Sequence, residues 1–394
     1  MIVLSVAVWR ACQDISRAHP CQDGGMPEFS FDDLRRFPDV EAPNLFAVDA
    51  SDRLILDEAA DSLAAAAPGE VVVIGDRYGA LTLGAAGLHG ATRIRVQQDA
   101  LTGERALARN ADRTGLADSY ESLAFDAALV EGATVVLMQL PRTLAALEQA
   151  AALIARHAHP SVVVYAGGRI KHLSTSMNDV LMKSFSELRV SLARQKSRVL
   201  VASGPLETAD ADTMRTEFHD DLQLWVAAQG TAFAGTKLDI GTRFLLSFIP
   251  QMASHPDVAI DLGCGTGILA AVVARARPDA RVIASDQSSS AVASARETMR
   301  LNGLEDRVEV VRDDSLRSQP DASAGLILCN PPFHVGAAVH ADAALGLFRD
   351  AARVLRPGGE LWTVFNSSLS HATTLRKIVG PTDVVGQNTK FTVT

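Results

Sequence analysis

Between residues 258 and 365, short apolar runs alternate with longer amphipathic stretches. Val258-Ala259-Ile260-Asp261-Leu262 is followed by a glycine turn and Ile268-Leu269, which predicts strand, turn and helix. The run 280–285 predicts a second strand ending at Asp286, and 291–302 has helical character. A third strand over 308–311 ends at Arg312-Asp313-Asp314, and a fourth over 325–329 leads into Asn330-Pro331-Pro332-Phe333-His334. A helix over 341–355, a turn over 356–359 and a strand over 360–365 complete the series. Apolar runs spaced by helices in this way specify a parallel, doubly wound α/β sheet.

The N-terminal half repeats the pattern in degraded form. Val71-Val72-Val73-Ile74-Gly75-Asp76-Arg77-Tyr78-Gly79 sets Gly75 over Gly263 and Gly79 over Gly267, with Arg77 in place of Gly265. An arginine there occupies space that glycine leaves open for close backbone approach. Asp286 has no acidic counterpart, only Gln97 nearby, and Gln139-Leu140-Pro141-Arg142 stands where Asn330 to Phe333 stand. Two tandem, doubly wound Rossmann-like domains are therefore expected, the N-terminal one degenerate. Their expected bounds are 26–204 and 239–394, with 205–238 as a connector that includes the acidic, amphipathic stretch 207–223. Residues 1–25 show no helical or strand period and lack the basic start of a secretion signal. Met26 is the expected start, which leaves 1–25 as a loose tail or a mis-assigned beginning.

A chain of 394 residues suits two domains, and 47% hydrophobic residues exclude a disordered chain. The apolar runs are broken too early for a transmembrane helix. A net charge of −9 argues against coating nucleic acid with the whole surface. Segment 167–200 departs from that balance, with Arg169, Lys171, Lys183, Arg189, Arg194, Lys196 and Arg198 against Asp179 and Glu187. Phosphate contact and a solvated face explain such a cluster about equally well. Cys12, Cys21, Cys264 and Cys329 form no CxxC, so no metal site is expected, and unpaired thiols fit a reducing cytoplasm.

The turn from Asp261 to Gly267 has the form D-x-G-x-G-x-G. Gly263, Gly265 and Gly267 let the backbone pass close to a ligand, and Cys264 lies inside the same loop. A dehydrogenase would more often show G-x-G-x-x-G. Asp286, at the end of the next strand, is placed to accept from both ribose hydroxyls of an adenosine, to cap the following helix, or to do both. One of Asp313 and Asp314 is a candidate acceptor for the adenine amine, against the plainer reading of an acidic loop. Asp239 or Thr242 caps the helix that begins near Arg243; alternatively this turn, with Thr242, lies over the methionine end of a methyl donor.

Asn330-Pro331-Pro332-Phe333 suits the acceptor side. The prolines lack N–H groups and cannot extend a sheet ladder, so nearby carbonyls stay free to accept. Asn330 adds a side-chain acceptor and Phe333 a stacking face. Two acceptors gripping a planar –NH2 pull its lone pair out of conjugation, which methylation of an amine nitrogen requires. No strong base is needed, because the proton can leave after transfer, and His334 is read as a pocket-wall residue. The motif alone does not separate guanine from adenine or from a glutamine amide.

The tandem of a degenerate and an intact domain ending in this motif resembles the bacterial ribosomal RNA guanine-N2 methyltransferases, whose domains are of the class I methyltransferase type. The likeness is nearer to the large-subunit enzyme than to the small-subunit one. Its further carriers are Gly79-Ala80-Leu81, Ala166-Gly167-Gly168, Leu238-Asp239-Ile240-Gly241-Thr242-Arg243-Phe244 and Asn388-Thr389-Lys390-Phe391. The resemblance implies S-adenosylmethionine as donor and guanine N2 in ribosomal RNA, 23S by the nearer likeness, as acceptor. It also implies a first domain that aids folding or RNA placement without binding donor. Carried over by position, Asp261, Gly263, Gly265, Gly267, Asp286 and Asp314 line the donor site, and Asn330 to Phe333 hold the base. Asp313-Asp314 departs from the family, which tends to have amides there. A cytoplasmic monomer with no metal or membrane partner is expected. The other readings are an N-methyltransferase for adenine N6 or protein glutamine, and a non-enzymatic RNA-binding assembly factor.

Overall fold

The computed structural model describes residues 29–207, 214–230, 232, 234–331, 337–369 and 371–394. The readings of 1–25 and of Pro332, Phe333 and His334 fall outside these residues.

The first domain opens with α1 (Ala50–Glu58) and α2 (Ala60–Ala65). It continues β1 (Val71–Ile74), α3 (Ala80–His89), β2 (Ile94–Gln97), α4 (Leu101–Thr114), β3 (Tyr120–Ser122), α5 (Ala127–Val130) and β4 (Val135–Gln139). Then come α6 (Leu144–His157), β5 (Val163–Arg169), α7 (Thr175–Met182), β6 (Phe185–Val190) and β7 (Ser197–Pro205). The strands form one sheet in the order β3-β2-β1-β4-β5-β7-β6, with β7 antiparallel to both neighbours. Alternate residues of β1 enter opposite cores, Val71 and Val73 on one face and Val72 and Ile74 on the other. A strand covered on both faces must be apolar throughout, which is why the sequence shows a run rather than an alternation.

A hairpin of β8 (Met214–His219) and β9 (Leu224–Gln229) links the domains. The second domain comprises α8 (Ile240–Leu246), β10 (Val258–Leu262), α9 (Ile268–Ala276), β11 (Arg281–Asp286), α10 (Ser289–Leu301), β12 (Val308–Arg312) and β13 (Ala324–Cys329). It ends with α11 (Ala337–Val354), β14 (Leu355–Asn366), α12 (His371–Ile378), β15 (Gly386–Gln387) and β16 (Phe391–Val393). Its sheet order, β12-β11-β10-β13-β14-β16-β15, matches the first sheet strand for strand. Among the described residues no helix is long and apolar enough to cross a membrane.

The shared register sets the two domains residue against residue. Ile74 pairs with Gln97 and Met138, while Leu262 pairs with Ser285 and Cys329. Gln139 therefore occupies the place of Asn330, as read from the sequence, and Gln98, next to Gln97, is the non-acidic counterpart of Asp286. The Gln98 side chain donates to the Asp76 carbonyl and is itself buried.

The stretch read as a plain connector is partly a hairpin. Leu224 and Val226 join the core of the second domain. The N–H groups of Trp225, Ala227 and Gln229 donate to Asn302 Oδ1 (3.1 Å), Thr298 Oγ1 (3.0 Å) and Ser294 Oγ (2.9 Å) on α10 and at its end. Two residues of strand advance about 6.6 Å and four of helix about 6 Å, so polar side chains every fourth position can serve alternate strand amides. The helix thus closes an otherwise open strand edge.

Candidate active site

The intact glycine turn leaves β10 beside the point where strand order reverses between β10 and β13, the usual ligand crevice of such sheets. Gly263 and Gly265 have φ of +76° and +53°, and a Cβ on either would point into open space. Gly267 is required for another reason: a Cβ there would lie 2.8 Å from Met299 Cε and 3.1 Å from Ala295 Cβ. The degenerate turn keeps that packing glycine, since a Cβ on Gly79 would lie 2.7 Å from Leu107 Cδ1. It also keeps Gly75, the counterpart of Gly263, with φ of +77°, but loses the glycine at the second open position, where Arg77 stands.

Four carboxylates come from β10 and from the ends of β11 and β12. Asp261 is buried; its Oδ2 accepts from Ala270 N (3.0 Å), while Oδ1 is buried with no partner. Burial, with a smaller push from Asp286, raises its pKa to about 7. Asp286 accepts from Gly265 N (3.0 Å) on one oxygen and Ser288 N (2.9 Å) on the other, and burial raises its pKa too. The capping role weighed for it falls instead to Ser288, whose Oγ accepts from Ala291 N (3.1 Å); Asp286 holds the N–H of that cap residue. Asp313 is turned inward onto Ser318, whereas Asp314 Oδ2 is paired with Arg105 at 3.0 Å and Arg317 at 3.2 Å. The Cys264 thiol is held protonated, chiefly by burial and then by Asp286 and Asp261, so it is no nucleophile. The first domain has lost this charge pattern: Val73 replaces Asp261, and Asp76 caps its helix through Thr82 N (2.8 Å) and Gly79 N (3.0 Å).

Asn330 follows β13 directly, with Pro331 buried behind it. Its Nδ2 donates to Asp239 Oδ2 (3.0 Å) and Thr242 Oγ1 (2.9 Å), which uses both amide hydrogens. Its Oδ1 is buried and has no partner. The amide is thus fixed as a pure acceptor. Asp239 also caps α8 through Thr242 N (3.0 Å), as read from the sequence. Thr242, expected to lie over the donor, also holds Asn330. The sequence offered Asp239 only as a cap; its bond to Asn330 spans 91 residues and has no local signal. Gly241 has its own reason, since a Cβ would lie 3.0 Å from Asp239 Oδ2 and 3.2 Å from Phe391 Cε1. In the first domain Gln139 likewise donates to the acid Asp52, but its Oε1 lies within reach of Ser51 Oγ (3.4 Å). The lock survives in both domains, and of these two amides Asn330 is the one whose buried oxygen has no partner.

The basic segment is divided. Arg169 pairs with Asp49 (3.4 Å), Lys183 with Glu148 (2.7 Å), Arg189 with Glu58 (3.2 Å) and Arg194 with Asp57. Lys171, Lys196 and Arg198 are exposed and stand outside these ion pairs. Among the described residues no cluster of His, Cys, Asp and Glu could hold a metal ion.

Fold and site together define a methyltransferase, and residues 223–394 match the family model described as "Methyltransferase small domain". Residues 26–206 match the "RLMG N-terminal domain". The ribosomal RNA large subunit methyltransferase G of Streptomyces avermitilis is 36% identical, covering 91% of this chain and 95% of that protein. The protein of the same name from Shewanella amazonensis is 33% identical over 92% and 94% of the two chains. The chain belongs to the ribosomal RNA large subunit methyltransferase G family. The T. thermophilus 16S rRNA N2 methyltransferase, solved with AdoMet and guanosine, shares the fold with a TM-score of 0.69 at 21% identity, over 90% of this chain and 95% of that one.

Proposed function

We propose that this chain transfers the methyl group of S-adenosylmethionine to the exocyclic N2 of a guanine in large-subunit (23S) ribosomal RNA. The observation that carries the reading is the fixed amide of Asn330, whose buried Oδ1 can only accept. An exocyclic amine is the complementary donor.

The residues present fit the donor. Open space beside Gly263 and Gly265 admits its backbone-hugging part, and the unpartnered Asp261 Oδ1 complements its ammonium group. Asp286 retains lone pairs on both oxygens for the ribose hydroxyls, and Asp314 accepts from the adenine amine. Bound donor supplies an electrophilic methyl on a sulfonium. Asn330 Oδ1 takes one N–H of the guanine amine, and a carbonyl of the Asn330-Pro331 segment takes the other. These two bonds localise the nitrogen lone pair and stabilise the positive charge that develops on it. The proton leaves to water afterwards, so the side chains act by position and polarity. Phe333 is assigned to stacking by its place in the motif. A paired target nucleotide must be turned out of its helix to reach this grip.

The first domain, through about residue 204, is read as a folding and RNA-placing partner that binds no donor. Its exposed Lys171, Lys196 and Arg198 are the part of the basic segment free to meet phosphate. The enzyme is read as a cytoplasmic monomer. Asn330→Ala should abolish transfer to unmodified ribosomal RNA while leaving donor binding near normal; retained transfer would remove the mechanism. Mass mapping of methylguanosine in ribosomal RNA from cells with and without the protein identifies the target nucleotide. An unchanged map would exclude guanine N2.

A further inference from the structure

The two domains meet through corresponding loops. Ala100 and Ser288, each three residues beyond the paired positions Gln97 and Ser285, form an antiparallel bridge. Leu101 N donates to the Gln287 carbonyl (3.0 Å) and Ser289 N to the Asp99 carbonyl (2.8 Å), so the bonds exchange when the domains are exchanged. This is the self-complementary geometry of a two-fold interface, built inside one chain.

The contact lies on the rim of the intact donor site. The Asp99 carboxylate accepts from Ser288 Oγ (2.7 Å), Ser289 Oγ (3.1 Å) and Ser290 N (2.9 Å), capping α10 immediately beyond Asp286. Arg312, one residue before Asp313, donates to the carbonyls of Gln98 and Asp99 and pairs with Glu104 at 2.7 Å. Arg105 reaches across from α4 to Asp314 Oδ2. The side-chain contacts of Asp314 described above are both on Oδ2, which turns Oδ1 away from the two arginines.

We propose that the degenerate domain is a structural half of the donor site: Arg105 orients Asp314 toward the adenine amine, and Asp99 fixes the loop that carries Asp286. This rests on the donor-site reading above and assigns the first domain a role beyond folding or RNA placement. Arg105 and Asp99 are positioning residues, because they act through Asp314 and the 286–290 loop.

The test is calorimetry on the full chain with S-adenosylhomocysteine and its inosine analogue, which lacks the exocyclic amine. The wild-type protein should prefer the adenosine form. Arg105→Ala should weaken S-adenosylhomocysteine about tenfold, or 1.4 kcal/mol, and the inosine form far less, so the preference falls. Arg105→Lys should restore much of it, and turnover at saturating donor should stay within about twofold. Arg105 is partly exposed, so the variant is expected to fold. Asp99→Ala should weaken both ligands alike, since it acts on the ribose side. An unchanged adenine preference in folded Arg105→Ala, whatever the affinity, overturns the proposal. Failure of the wild-type chain to bind either ligand would instead remove the donor-site reading.

Discussion

The hold on Asn330 can be tested by removing its two anchors separately. A bond to a charged acceptor is worth about 1.5–3 kcal/mol and a neutral one about 1 kcal/mol. Together Asp239 and Thr242 favour the observed amide orientation by about 2.5–4 kcal/mol, which keeps the flipped form below about 2%. Thr242→Val preserves the side-chain shape and the backbone cap, and leaves the carboxylate bond at 3.0 Å. Its flipped fraction should stay under about 10%, so single-turnover methyl transfer should slow by no more than about threefold. Asp239→Ala leaves only a hydroxyl, which can accept from one end of the amide or donate to the other. Loss of orientation then costs about twofold, and loss of fixed placement raises the total to roughly 10- to 100-fold. Loss of the α8 cap adds about 1 kcal/mol of instability, visible in the melting temperature and separable from the rate. Donor affinity by calorimetry should be unchanged in both variants. Wild-type transfer by a folded Asp239→Ala protein would refute the lock. A Thr242→Val protein that lost donor affinity at full rate would restore Thr242 to the donor site.

Donor affinity should rise as pH increases toward 7 and then level, because Asp261 titrates at about 7 and only its carboxylate attracts an ammonium. Calorimetry at pH 5.5, 6.5 and 8 reads this, and Asp261→Asn should bind weakly with a flat profile; a flat wild-type profile refutes the assignment. Asp52, raised by burial to about 7, bears on stability instead. The folded state holds its proton between the usual carboxylate range and pH 7, so its penalty grows as pH rises and is complete above 7. Asp52→Asn should therefore raise the melting temperature at pH 8 by a few degrees and leave it unchanged near pH 4; no gain at pH 8 would count against the burial cost. Gly265→Arg, which copies Arg77 of the first domain, should fold yet lose donor binding by calorimetry. The converse Arg77→Gly should not create a second donor site, because Val73 and Gln98 still replace Asp261 and Asp286; two donors bound per chain would overturn that.

Local pattern carried the reading of both sheets. Val71–Ile74 is apolar throughout, and Val258–Leu262 apolar but for Asp261, because both faces are covered, and a glycine turn followed by helix marks each first strand. The repeat alone sets Gln139 against Asn330. The hairpin Met214–Gln229 has a weak strand period because β8 is largely exposed and β9 takes its second neighbour from a helix.

The sequence by itself determined which residue types stand at the ends of β10, β11 and β13, since strand ends and turns are written in neighbouring residues. Only the tertiary structure decided what those residues can do. Asn330 is an acceptor because Asp239 and Thr242, 91 and 88 residues away, consume its hydrogens. Asp314 meets an arginine 209 residues away in the other domain. Hydrogen-bond capacity at a buried group depends on which neighbours have already used it, and those neighbours are assembled by the fold.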